Sequence, residues 1–394
     1  MDIILFAGID WDDTRRFPVH HTAERLADKG HRIFYIDNFG GIRDLQWGDA
    51  KRAFSKVKTA LLRRASASES GRSHPNIWVY QPLIFPTPRL PSTVGRLNGY
   101  LIARGINKLI QEHGIHQPIV WTRVATHISW FAIQRIASEV LLYQVVDNFP
   151  ANPILSDSLK QQHREYVDRF SRSADLIFAS ARGLKEQRER VNENVHFFPN
   201  GVEVEKFQRG DASEATKLDN ISEPLIGFVG TIQSPVDFST LEEVARRKPE
   251  WSFVFIGPVT EFAELGALPD LENVHFLGPV DHDVLPAYCQ ALDLGLIPYE
   301  STEFTKYTFP SKLAEYLASG IPVLASDIPE MRHYEGEIGI YGNVEEFIKE
   351  AQHHMQQQNS QARKKRREVA RTLSWDRIVE EMSETIVCAT ANES

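Results

Sequence analysis

The sequence predicts an α/β protein made of two doubly wound domains. Short apolar strands alternate with helix-length amphipathic stretches along most of the chain, and that alternation breaks once, at the polar and acidic stretch 208–223. A length of 394 residues is also long for one core and suits two domains of about 150 to 200 residues. With 42% hydrophobic and 25% charged residues the composition is that of an ordinary globular chain. The net charge of -9 argues against general nucleic-acid binding, which depends on neutralising phosphates. Cys289 and Cys388 are the only cysteines, so there is neither a disulfide framework nor a zinc pattern, which favours a reducing compartment. Met1 to Phe6 starts a strand with no basic segment and apolar core of a leader, and no apolar run nears the ~18 residues of a membrane span. The expectation is a cytoplasmic protein, or one peripheral on the inner membrane surface.

The first domain is expected over residues 1–201. Ile3 to Ala7 is a strand closed by Gly8. A polar loop, a helix to Lys29 and a strand Arg32 to Ile36 follow, the opening of a parallel βαβ unit. The loop lacks Gly-x-Gly-x-x-Gly, which weighs against a dinucleotide fingerprint. Its polar residues lie at the carboxyl end of the first strand, where open α/β sheets bind ligands, so Asp10, Trp11, Arg16 and His20 are candidate acceptor contacts against the alternative of a solvated loop. His20 and His21 have no third ligand in sight and read as packing or surface residues rather than metal ligands. Ala50 to Arg64 carries Lys51, Arg52, Lys56, Lys58, Arg63 and Arg64 with Phe54, Val57 and Leu61 at helical spacing. That stretch predicts a basic amphipathic helix suited to an anionic membrane surface, or else a solvated surface helix. Strands at 77–80, 118–121 and 140–146 alternate with helices at 92–113 and 128–137, and the last of these strands runs into Asp147. Further helices at 159–173 and 184–191 and strands at 175–179 and 195–198 lead to the Asn200-Gly201 turn.

The second domain is expected over 202–374, with a terminal helix over 375–394. Leu225 to Val229 is a buried-type strand closed by Gly230-Thr231, whose backbone could approach a phosphate closely. Strands at 251–256, 274–277 and 294–297 alternate with helices at 238–247 and 283–291, and the stretch ends at Pro298-Tyr299. Residues 310–319 then form a helix with Pro310 in the first turn and Gly320 just past the end. Ser311 and Lys312 stand beside its free N–H groups and positive dipole, an anion site suited to phosphate. Glu315 lies three residues on, where a carboxylate could accept two ribose hydroxyls. Residues 360–371 are strongly basic and read as a solvated helical face, and Ser374 is a plausible N-cap for the last helix.

Pro310-Ser311-Lys312-Leu313-x-Glu315-Tyr316-Leu317-Ala318-x-Gly320-x-Pro322-Val323 resembles the donor-binding segment of GT-B glycosyltransferases, of the group 1 or family 4 type. The resemblance is strong over roughly residues 195–330 and extends to polysaccharide-building and glucuronosyltransferase-like members. It implies two Rossmann-like domains with a cleft between them and a terminal helix crossing back to the first. It also implies that Glu315 holds the ribose of a nucleotide-sugar, that Ser311, Lys312 and Leu313 approach the diphosphate, and that Gly230, Thr231, Tyr299 and Tyr307 line the donor site. Many members carry a second Glu eight positions before Glu315, where this chain has Tyr307, and an Arg and a Lys after the Gly230 turn, where 231–238 has neither. Lys312 would then carry the diphosphate charge largely alone. Asp147 is, by the same resemblance, a candidate general base for the acceptor hydroxyl, although an Asp after a strand is also a common cap or turn residue.

The function implied is transfer of a sugar from a nucleotide-diphospho-sugar, by default a UDP-sugar, to a glycan or lipid-linked acceptor in polysaccharide biosynthesis. No cofactor and no metal is required, because a helix N-terminus and a lysine can neutralise the leaving diphosphate. A nucleotide-sugar epimerase on the same fold would instead act with no acceptor present. A non-catalytic nucleotide-sugar-binding module would bind and not turn over.

Overall fold

The computed structural model describes residues 1–13, 16–39, 74–82, 84 and 92–391. The stretch 50–64 read as a basic amphipathic helix lies outside them. Two compact units emerge: Met1–Ser180 with Leu184–Phe198 and Val379–Ser394, and Ala181–Gly183 with Pro199–Ile378.

The first unit is built on a parallel sheet of order β3-β2-β1-β4-β5-β6-β7. Its strands are β1 Asp2–Phe6, β2 Arg32–Ile36, β3 Ile77–Tyr80, β4 Ile119–Thr122, β5 Val140–Val145, β6 Leu176–Ala179 and β7 Val195–Phe197. Strands β4, β5 and β6 are buried at every position, as expected when crossover helices cover both faces. Trp121 stands edge-on to Phe178 at 5.5 Å and its Nε1–H donates to Gln144 Oε1 at 3.2 Å, so the one polar atom of that large side chain is satisfied. The strand order reverses between β1 and β4. At that point Gly8 has φ +72°, and a Cβ there would lie 2.4 Å from Val124 Cγ2.

The second unit has a parallel sheet of order β10-β9-β8-β11-β12-β13, with β8 Leu225–Val229, β9 Ser252–Ile256, β10 Val274–Gly278, β11 Leu294–Ile297, β12 Val323–Ser326 and β13 Gly339–Tyr341. Its reversal lies between β8 and β11. Ligands of open α/β sheets bind at such reversals, outside the carboxyl ends of the strands. The helix Ser311–Ser319 connects β11 to β12 and so starts beside that point.

Four sequence expectations change. Pro310 is the N-cap, with φ -69° and ψ 113°, and the helix begins one residue later, because its ψ is extended rather than helical. The polar stretch 208–223, where the alternation breaks and a linker would be expected, is structured: 3-10 turns Ala212–Glu214 and Thr216–Leu218 bury Ala215 and Leu218. The basic helix Ser360–Thr372 is not only a solvated face. Arg366 is buried and its Nε donates to Gly320 O at 2.9 Å, while an Arg367 terminal nitrogen donates to Ser319 O at 3.3 Å. Those two cations satisfy carbonyls and oppose the negative dipole end of the helix Ser311–Ser319. Strand β13 and the short helices Val204–Gln208 and Pro329–Arg332 carried too few periodic residues to be read. Gly320 does adopt the left-handed conformation expected past a helix end, at φ +84°, and Ser374 Oγ accepts Arg377 N–H at 3.3 Å.

Candidate functional site

Strand β8 delivers Gly230 and Thr231 to the reversal point of the second sheet. Gly230 has φ +148° and its N–H donates to Ile256 O at 2.9 Å. That bond corrects the expectation that both N–H groups face a phosphate: the Gly230 donor is used by the sheet. Among the described residues no acceptor meets the Thr231 N–H, and the next donor, Ile232 N–H, goes to Pro258 O at 2.9 Å. Gly257, with φ +145°, lies directly beneath, since a Cβ there would be 1.9 Å from Gly230 O.

The helix Ser311–Ser319 has no side-chain cap at its N-terminus, and the first N–H groups of a helix have no intrahelical acceptor. Leu313 N–H is taken by Pro310 O at 3.1 Å and its side chain is fully buried, so Leu313 serves the site as packing rather than as a donor aimed outward. Lys312 reaches over the Gly230 turn, its Cε 3.2 Å from where a Cβ on Gly230 would sit. Its Nζ lies 3.2 Å from Glu315 Oε2, and both side chains are largely enclosed. Oε2 is buried and, among the described residues, accepts no well-directed hydrogen bond. A pair held at one turn's spacing thus carries a cation toward the Gly230 turn and leaves a carboxylate with acceptor capacity to spare.

Tyr299 N–H donates to Ser326 Oγ at 3.0 Å, and its side chain packs against the sheet core. Tyr307 ends the 3-10 turn Thr305–Tyr307, half-buried. Sequence reasoning missed His282. Lys206 Nζ lies 2.9 Å from its Nδ1 and 2.7 Å from Asp283 Oδ1. An ammonium only donates, so Nδ1 accepts and the ring proton sits on Nε2. Burial first, then Lys206, holds this imidazole below the ordinary range, and Glu315, Glu203 and Lys312 act on it electrostatically. A lone histidine in a loop gave no signal for this.

In the first unit the β1 loop is braced from inside. Trp11 N–H donates to Asp37 Oδ1 at 2.7 Å, and the Trp11 ring meets Tyr35 at 4.9 Å and His20 at 5.5 Å. His20 Nδ1 accepts Phe17 N–H at 3.0 Å, so the Nε2–H contact at 3.2 Å goes to Asp10 O. Burial, then Arg16, pushes the His20 pKa down to about 4, and the ring is neutral at pH 7. Trp11 and His20 are therefore enclosed supports, which corrects the expectation that their side chains face an acceptor. Arg16 pairs with Glu24 and lies 5.7 Å from the Trp11 ring centre, while Asp10 is half-buried.

Asp147 is half-buried, two residues past the end of β5. The cap position of the turn Phe149–Ala151 belongs to Asn148, so Asp147 is not that turn's cap. Burial lowers the pKa of Arg123, the first residue past β4, to about 10, and Tyr35 and Asp147 act on it electrostatically in the opposite direction. Neither Arg123 nor Asp37 stood out in the sequence, because a single charged residue at a strand end is common.

Residues 223–357 match the family described as glycosyl transferases group 1. TuaH of Bacillus subtilis (strain 168), a protein named for teichuronic acid biosynthesis and glycosyl transfer, is 31% identical over 239 residues, 57% of this chain and 59% of TuaH. The chain thus spans less than two thirds of that relative's length. Sucrose-phosphate synthase from Thermosynechococcus elongatus superposes with a TM-score of 0.74 at 15% identity, covering 100% of both chains. Anabaena HepE in complex with UDP-glucose gives a TM-score of 0.64 at 15% identity, covering 98% of this chain and 100% of that one. No described helix is long and apolar enough to cross a membrane.

Proposed function

We propose, for a chain of GT-B fold whose residues 223–357 belong to the glycosyl transferases group 1, that it moves a sugar from a UDP-sugar to a hydroxyl of a glycan or lipid-linked acceptor in polysaccharide biosynthesis. The observation that carries this is the Lys312–Glu315 pair on an uncapped helix N-terminus, beside the Gly230 turn at the reversal point of the second sheet. HepE, whose structures hold UDP and UDP-glucose, and TuaH, named for teichuronic acid biosynthesis, favour the donor and the pathway class.

In this reading the second unit holds the donor and the first unit the acceptor. Glu315 accepts hydrogen bonds from the ribose hydroxyls. Thr231 N–H, the first-turn N–H groups of Ser311 and Lys312, and the Lys312 ammonium surround the diphosphate, where negative charge builds as the sugar leaves. Asp147 takes the proton of the acceptor hydroxyl as its oxygen bonds to the anomeric carbon. The bond from that carbon to phosphate breaks, and its electron pair leaves with the nucleoside diphosphate. Tyr299 and Tyr307 border the donor, and Asp10 and Arg16 the acceptor.

Thermal melting with UDP, GDP and dTDP tests the donor, since a ligand that binds only the folded state raises the melting temperature. UDP should give the largest rise. A larger rise with GDP or dTDP would replace the base assignment, and no rise with any of them would remove the donor site.

A further inference from the structure

We propose that Arg123 is an anion-recognition residue of the first unit, binding a carboxylate or phosphate group carried by the acceptor. This deepens the acceptor reading of that unit and rests on it.

Arg123 stands where the strand order of the first sheet reverses. Its N–H donates to Phe6 O at 3.2 Å, which extends the β1–β4 ladder by one residue and fixes where the side chain departs. Gly8, past the end of the neighbouring strand β1, is held so close to Val124 that a Cβ there would lie 2.4 Å from Val124 Cγ2. The Nε atom of Arg123 is enclosed and, among the described residues, meets no hydrogen-bond acceptor. Burial lowers its pKa to about 10, and Asp147 and Tyr35 act on it electrostatically in the opposite direction.

A buried donor without a partner is costly, and in native proteins it calls for a physical explanation. Neighbouring groups do not supply one. His20 is neutral, with both ring nitrogens committed to the β1 loop. Asp37 is occupied by Trp11 N–H and by Gln81 Nε2 at 2.9 Å. A carboxylate or phosphate would complete the guanidinium, whose donors form a fork matched to the oxygens of either. Asp147 then works on the hydroxyl while Arg123 reads the charge, so acceptors bearing an anion are preferred to neutral ones.

The competing account makes Arg123 only the electrostatic companion of Asp147. Ligand-observed NMR titration of the whole chain, with UDP added to occupy the donor helix, separates the two accounts. The probes are methyl glucuronide, methyl glucoside and methyl phosphate. The native chain should bind methyl glucuronide or methyl phosphate at least tenfold more tightly than methyl glucoside, and which of the two is preferred distinguishes a uronic acid from a lipid phosphate. Arg123→Gln should lose about tenfold or more for the preferred anion and nothing for the glucoside. Arg123→Lys should restore part of the loss, and Asp147→Asn should keep the preference. No preference in the native chain, or equal losses for charged and neutral probes in Arg123→Gln, would overturn the assignment. Repeating the titration without UDP should give the same contrast, so a failure of the donor reading leaves this test intact.

Discussion

The Tyr316 hydroxyl accepts the backbone N–H of Val229 at 2.9 Å, tying the helix that carries Lys312 and Glu315 to the strand that delivers Gly230 and Thr231. The ring is fully buried against Gly295, where a Cβ would come within 2.7 Å of it. Tyr316→Phe leaves the shape and strands the Val229 donor, so it should cost about 1–3 kcal/mol in urea unfolding and weaken UDP binding. Unchanged stability and affinity would mean the bond does not hold the two elements in register.

Lys312→Ala should weaken UDP by about ten- to a hundredfold while changing uridine affinity little, because it removes a cation aimed at phosphate and leaves the Glu315 carboxylate unopposed beside it. Glu315→Ala should weaken both ligands. Calorimetric titration with the two ligands decides, and equal losses for UDP and uridine in the lysine variant would end the phosphate assignment.

Asp147→Asn should lower kcat by roughly two to four orders of magnitude, the usual worth of a positioned base, with UDP affinity nearly intact. Steady-state kinetics on a competent acceptor measure it. Near-native turnover would move the base elsewhere.

Burial raises the Asp37 carboxyl from its ordinary 3.8 to about 6. A raised folded-state pKa gives a contribution that is full below the unfolded value and lost as pH rises through the folded one. Ionised Asp37 thus weakens the fold above pH 6. Asp37→Asn, which keeps an oxygen for Trp11 N–H, should stabilise the chain by roughly 1–3 kcal/mol at pH 8 and by little at pH 3.5. His20 runs the opposite way, losing its contribution as pH falls from 6.5 toward 4, but it is common to both proteins and cancels in the difference. A native chain as stable as the variant at pH 8 would show that Asp37 is not strained by its charge.

What could be read from the sequence was what is local. The alternation of strand and helix predicted both sheets, and Pro310, Lys312, Glu315 and Gly320 announced one helix with its ends and its charges. Residues that act through distant partners were silent. Arg366 looked like one cation in a basic run and turned out to bond a carbonyl 46 residues away. Trp11 and His20 looked polar enough to face a ligand, but both ring nitrogens of His20 close on the loop itself and the Trp11 ring is buried against Tyr35 and His20. Arg123 needed the reversal of strand order, which no periodicity reports.

Gly257 bears on how a mutational scan of this chain should be interpreted. Its missing side chain leaves room for the Gly230 carbonyl, so any replacement at 257 pushes the 230 turn out of place without coming near a nucleotide. Libraries scored on activity should be depleted at both positions to a similar depth, and a ranking by depletion would place 257 among the ligand contacts. Pairing each score with an abundance measurement would not separate them either, since both replacements strain the same backbone. Only ligand footprinting, in which UDP shields the 230 turn and leaves 257 indifferent, would tell the residue that touches the nucleotide from the one that makes room for it.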